Sequence, residues 1–305
     1  MERLRHNRRR GAALMLSLWA LFLLSAMVIS WALNIDARII MSGHANRNLE
    51  ALAMACSGAE VAMSPNAKPG LPALEGGFGK DQKYQARITG EGGRLNIKWL
   101  VTGALVSPES PQRELLRRYL EIKGIDLNER DQMIDTLLDW VDPDNLVRLN
   151  GAEDEGGYKA ANRMITNLDE LKKIKGWEEF TSAKDWDADL TLSSMGPIDI
   201  AWASRDVLMA LPGASEDRVD QYVSMRSGPD EIDGTEDDPF TGVGANQAQA
   251  FAVLGIQPQL VSGLAVIGTD QVMRVVSVGK SGDATRTVRA VFQKGSNQLK
   301  SWKEF

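Results

Sequence analysis

The sequence predicts an α+β chain: a long N-terminal transmembrane helix packed on a small antiparallel sheet, with a large all-α domain inserted between the strands. Three observations carry this. An uncharged, proline-free run of 22 residues, Ala12 to Leu33, follows five arginines. Strand-like segments occur only towards the two ends of the remaining chain. Between them apolar residues recur at helical spacing, divided by cap and stop signals.

The helix comes first in the chain. Ala12 to Leu33 would rise about 33 Å as a helix, enough to cross a bilayer core of about 30 Å. Arg3, Arg5, Arg8, Arg9 and Arg10 mark the cytoplasmic side. No breaker follows until Pro65, so the helix is expected over 12–64, with 12–33 in lipid. Ile35, Ile39, Leu49, Leu52 and Met63 are expected to keep one face apolar beyond the membrane. A secretory signal fits poorly, because the apolar run is too long and Ser30-Trp31-Ala32 is a weak cleavage site. Twin-arginine flanks are absent. A basic leader over 1–11, then glycine, then an uncharged helix resembles the type IV prepilin signal, cut between Gly11 and Ala12.

Residues 65–80 are rich in Pro and Gly and read as a loop. Lys83 to Gly90 alternates as a half-buried strand, Glu91-Gly92-Gly93 turns, and Arg94 to Leu100 is expected as a second strand. Two strands are marginal alone. Partners are expected in Gln271 to Val278 and Ala284 to Gln293, joined as a hairpin through Lys280-Ser281-Gly282-Asp283. The sheet is thus assigned to 80–104 and 261–305, and the helical insertion to 105–260. Within it, Ser110-Pro111 starts a helix that Gly124 ends, and Asn128 is expected to cap the next. Asn167 with Glu170 forms a capping box; Ser204, Ser215 and Asn246 are further cap candidates.

Composition narrows the function. The five arginines and Glu2 give the leader +4, so its removal takes the net charge from −6 to −10. So acidic a domain argues against nucleic acid or anionic lipid as partner. Cys56 is alone and forms no intramolecular disulfide; it is expected as a small apolar residue on the long helix. The two histidines, His6 and His44, lie in the leader and on the long helix, which leaves no triad or zinc site. Gly279-Lys280-Ser281 mimics a phosphate loop, but Arg274 stands where its first glycine belongs. The chain reads as a non-enzyme. A hydrolase pair of Asp139 and Glu153 is the weaker chemical alternative.

Two acidic clusters offer hard oxygen ligands of the kind calcium takes. One is Asp139, Asp142, Asp144, Glu153 and Asp154, continuing to Glu155; the other is Asp230, Glu231, Asp233, Glu236, Asp237 and Asp238. Neither has EF-hand spacing, and a solvated acidic loop is an equal reading of each, though crowding tilts the second towards a cation. Leu168 to Trp177 and Val207 to Tyr222 look like helix-hairpin-helix halves. That raises the alternative of a membrane-tethered periplasmic DNA- or ligand-binding protein, against which Glu216, Asp217 and Asp220 argue.

Taken together, the motifs resemble the K-type minor pseudopilins of the bacterial type II secretion system. The resemblance rests on Arg10-Gly11 before the apolar helix, Gly93-Arg94-Leu95-Asn96-Ile97 and Leu138-Asp139-Trp140-Val141-Asp142-Pro143-Asp144. Gly151-Ala152-Glu153-Asp154 with Tyr158, Asn162-Arg163 and Leu168 to Trp177 extend it. It implies a pseudopilin fold with a helical insertion, calcium on the periplasmic domain, and a single-pass inner-membrane precursor. It also implies a prepilin peptidase that processes and methylates the new terminus, an inner-membrane assembly platform, and other minor pseudopilins as partners. Counting from Ala12, Leu16 stands fifth, where repeating subunits usually carry glutamate. Leucine needs no charged neighbour in lipid, which suits a filament tip. Ile200-Ala201-Trp202-Ala203-Ser204 departs from the family's pattern.

Overall fold

The computed structural model describes residues 2–106, 109–235, 237–240, 246–268, 271–296 and 298–305; over 2–13, 37, 40 and 103–106 it describes the backbone alone. Helix α1 (Glu2–Ala62) runs unbroken through the apolar span. A 3-10 turn (Pro72–Leu74) leads into β1 (Glu75–Phe78) and β2 (Gln82–Gly90). Then come β3 (Leu95–Asn96), α2 (Ile97–Val106), α3 (Pro111–Ile122) and α4 (Leu127–Val141). A 3-10 turn (Leu168–Lys173) precedes α5 (Glu178–Ser182), β4 (Leu190–Thr191) and β5 (Ile198–Asp199). Next are α6 (Arg205–Met209), α7 (Glu216–Arg226), α8 (Gln247–Leu254) and β6 (Ala265–Val266). Strands β7 (Val272–Ser281), β8 (Ala284–Gln293) and β9 (Gln298–Glu304) end the chain.

The main sheet has the order β1-β2-β7-β8-β9, antiparallel throughout. Its central pairing joins the two chain ends: Gln82 opposes Ser281 and Gly90 opposes Met273. The helical region is therefore an insertion between neighbouring strands, as expected. Parallel pairs β3–β4 and β5–β6 stitch the insertion together.

Alternation sets which sheet face is covered by α1. Ala86 and Ile88 of β2, Val275 of β7, and Val288 and Ala290 of β8 are buried against Ala55, Ala59 and Ala62. The helix face is made of small residues, so the two backbones come close. A Cβ at Gly279 would run into the backbone of Ala51 and Ala55, and one at Gly58 into Ser277 and Tyr84. The buried stripe is therefore Ala51, Met54, Ala55, Ala59 and Ala62, with Leu52 and Met63 partly buried beside it. Ile35, Ile39 and Leu49, expected on an apolar packing face, are exposed in the single chain.

The insertion has its own core. Leu115, Tyr119 and Leu120 of α3 meet Met133, Ile134 and Leu137 of α4, all essentially inaccessible. Each such side chain contributes roughly 1.5–3 kcal/mol relative to exposure. Ser110 caps α3 by accepting from the Arg113 N–H, Ser204 does the same for Val207, and Asn246 for Gln249. The capping box of Asn167 and Glu170 is complete, though it opens a 3-10 turn and not an α-helix.

Several expectations are corrected. Arg94 to Leu100 is no second strand: only Leu95–Asn96 is extended, pairing with β4. The Asn96 side chain then accepts from the N–H groups of Lys98 (3.0 Å) and Trp99 (3.3 Å), which starts α2. Leu95, Ile97, Leu100 and Val101 lie in the helical core, as do Leu264 and Ala265, so the insertion reaches further at both ends than 105–260. Asp126, not Asn128, takes the cap position of α4. Part of the expected loop at 65–80 is the edge strand β1.

The glycine seat gives a direct test. Gly279→Ala is expected to destabilise the chain by about 2–4 kcal/mol, because backbone and not a flexible side chain must give way. Urea denaturation in detergent micelles measures this; a change within about 0.5 kcal/mol would show that the seat has slack.

Candidate assembly handle and metal site

Over Leu14–Ile29 the first part of α1 presents apolar side chains all round, and every residue from Leu14 to Asp36 is exposed. The helix is long and apolar enough to cross a membrane, with a mean hydropathy of 2.1 over its best window. Leu16 is exposed on it, and Trp19 and Phe22 stack edge to face at 6.1 Å. Gly11 and Ala12 lie within the helical backbone, and their side chains are outside the described set.

The insertion leaves the sheet through Gly90-Glu91-Gly92-Gly93-Arg94, where Glu91 is almost wholly buried. Both its oxygens meet the Arg274 guanidinium at 2.7 Å, and Thr191 donates to it at 2.5 Å. Trp202 packs over this corner: a Cβ at Gly90 or Gly93 would collide with it. Trp202 thus joins the insertion to the α1–sheet core. On the same sheet face Arg289 pairs with Asp187 at 2.7 Å and Lys303 with Asp169 at 3.2 Å. The sheet supplies each cation and the insertion each carboxylate.

The first acidic cluster closes on a cation of its own. Arg148 donates through Nη1 to Asp139 at 2.5 Å and to Asp142, and its backbone N–H reaches Asp139 at 3.2 Å. A Cβ at Gly151 would strike Asp139, so glycine is required for this closure. Both oxygens of Asp139 are engaged, which leaves it unsuited as the acid or base of a hydrolase pair. Asp144 accepts from the Leu146 N–H at 2.8 Å, and Asp154 is exposed. Glu153 is buried, with Oε1 unpartnered, as is Oδ1 of Asp142. Burial, with Asp139, Asp142, Asp144 and Asp154 around it, pushes the Glu153 carboxyl up to about 7.

The second cluster gathers differently. Asp230, Asp237 and Asp238 bring carboxylate oxygens within 4.8 Å of one another. Among the described residues they form the only group so placed; the five carboxylates expected as ligands in the first cluster are not brought this close together. Asp233 is diverted: both its oxygens face the Arg226 guanidinium at 3.0 Å. Glu236 lies outside the described residues. Gly228 has φ +63°, and a Cβ there would press on Asp237 and Asp238. Asp237 is held below the usual range by the Thr235 hydroxyl, whereas burial raises Asp238. An all-oxygen triad with a bare Cα beneath it fits a hard cation such as calcium.

The helix-hairpin-helix reading finds no phosphate seat. Arg205 binds Glu216 and Asp220, both at 2.6 Å, so acid occupies the start of α7. Sequence reasoning missed Arg148, Arg274 and Gly228. The signals were an arginine inside an acidic loop, an arginine in a valine-rich strand, and a glycine two residues before the acidic run.

Comparison with known proteins places these features. Residues 93–184 match the family model described as type II secretion system, protein K. Over 198 residues the chain is 27% identical to "Putative type II secretion system protein K" of Escherichia coli K12, covering 57% of this chain and 60% of that protein. It thus spans about three-fifths of that curated relative's length. A chain in the crystal structure of the GspK–GspI–GspJ complex from the enterotoxigenic Escherichia coli type 2 secretion system shares the fold. The TM-score is 0.60 at 12% identity, over 87% of this chain and 99% of that one.

The Glu153 shift fixes a sign. A carboxyl raised in the fold binds more protons than in the unfolded chain between about pH 4.5 and about 7, so its contribution to stability falls as pH rises through that window. Glu153→Gln is expected to flatten the fall measured by urea unfolding between those limits. An unchanged pH slope would exclude Glu153 as its source.

Proposed function

We propose that this chain belongs to the type II secretion system protein K family and works as a minor pseudopilin at the tip of a periplasmic pseudopilus, where it nucleates or caps assembly for export across the outer membrane. The observation that carries this reading is the split character of α1. Its lipid half is exposed and apolar all round, while its last turns are locked to the sheet through alanine and glycine. Such a helix moves its domain with it when drawn from the membrane.

In this reading the precursor is a single-pass inner-membrane protein with its C-terminal domain in the periplasm. Prepilin peptidase cuts between Gly11 and Ala12, and the new terminus is methylated. Leu16 leaves no buried carboxylate needing a neighbour's amino terminus, so the subunit enters where no further subunit stacks above it. The partners are other minor pseudopilins, in keeping with the complex named for the similar structure, and the inner-membrane assembly platform. The work is assembly, with no catalytic step and no nucleic acid. Nothing in the α6–α7 hairpin supports the DNA-binding alternative.

Two outcomes are expected. Mass spectrometry of the mature protein should find Ala12 as the first residue, and the mature chain should co-purify with minor pseudopilins of its own system. A retained arginine leader, or isolation alone, would end the tip assignment. Calcium belongs to this reading as a ligand of Asp230, Asp237 and Asp238. Added calcium should raise the melting temperature of the wild type, and Asp237→Asn should abolish most of the rise. Equal melting with calcium and with chelator would remove calcium from the account.

A further inference from the structure

A cavity of about 380 Å³ separates the second face of the sheet from the insertion. The sheet contributes Arg274 and Arg289, and β9 contributes four consecutive residues, Lys300 to Lys303. Consecutive lining residues are unusual in a strand, where neighbours point to opposite faces. The register accounts for Lys300 beside Ser301, while Trp302 packs towards the α1 side of the sheet. Val291 opposes Ser301 while Phe292 opposes Leu299, so Lys300 is the extra residue of a β-bulge. A bulge re-aims a side chain, here along the cavity wall.

Charge around the cavity is uneven. Arg274, Arg289, Lys300 and Lys303 line it with Glu91 and Asp187, and Asp169 pairs with Lys303 from beside it, which leaves one cation in excess in a chain whose net charge is −6. Arg274, Arg289 and Lys303 have carboxylate partners, whereas Lys300 makes no ion pair among the described residues. β9 is also the outermost strand, with one backbone edge open among the described residues. Lys300 is exposed at the mouth of the cavity, where an incoming carboxylate can reach it.

We propose that the open edge of β9 and the adjoining cavity bind an extended, acidic segment of a partner protein. Its backbone adds a strand to β9, and its alternate carboxylates meet Lys300 and the cationic face behind it. The inference concerns a binding surface and stands apart from the tip assignment.

The test uses the full chain in detergent micelles and a fluorescein-labelled, end-blocked hexapeptide alternating threonine and glutamate, read by anisotropy. Binding is expected, with the threonine–glutamine counterpart at least about tenfold weaker. Lys300→Glu should weaken the acidic peptide by about tenfold or more, whereas Lys280→Glu, an exposed lysine at the β7–β8 hairpin, should leave it unchanged. Methylating alternate peptide amides should abolish binding, since strand addition needs those N–H groups. Equal affinity for the neutral peptide, or for the Lys300→Glu protein, would overturn the proposal. So would indifference to amide methylation, or displacement by free glutarate at peptide-like concentrations.

Discussion

The buried pair of Glu91 and Arg274 is the constraint around which the two halves of this protein are joined. The carboxylate sits where the chain leaves the sheet, and the guanidinium lies on the strand by which it returns. Neither can lose its partner cheaply, since a single charge left in such a place costs about 3–5 kcal/mol. Glycines on both sides of Glu91 let Trp202 close over the corner. The pair does little for stability beyond what apolar packing would give. What the bidentate contact does is tie the departing segment to the returning strand.

Most of the architecture was legible because it follows from periodicity. The span before Leu33, the alternation of Lys83–Gly90 and Ala284–Gln293, and the caps at Ser110, Ser204 and Asn246 are local signals that the folded chain uses as written. Where reading failed, a distant contact had overruled a local pattern. Arg94–Leu100 has strand composition, yet Leu95 pairs only briefly with β4 before the Asn96 side chain turns the backbone into α2. On α1 the large residues Ile35, Ile39 and Leu49 drew attention, while the true contact is made by alanines, whose value lies in how near they let a strand come. Small residues carry almost no hydrophobic signal.

The two acidic clusters show the same limit in electrostatic form. Counting carboxylates tilted the reading towards the second, but spacing in sequence does not reveal where a counter-charge will land. Arg148 folds back onto Asp139 and Asp142 and fills the first cluster from within. In the second, Arg226 removes Asp233 alone, and three carboxylates stay grouped. The candidate metal site was thus half readable: the loop was evident, the membership was not.

Gly90 and Met273, where the insertion begins and ends, are partners on adjacent strands, about 4.8 Å apart. Tension drawn along α1 accordingly enters the sheet at Ala51–Ala62 and is shared among β2, β7 and β8 without crossing the insertion. The helical unit rides beside the mechanical path, not within it. Its size and surface can vary while the α1–sheet core keeps its strength.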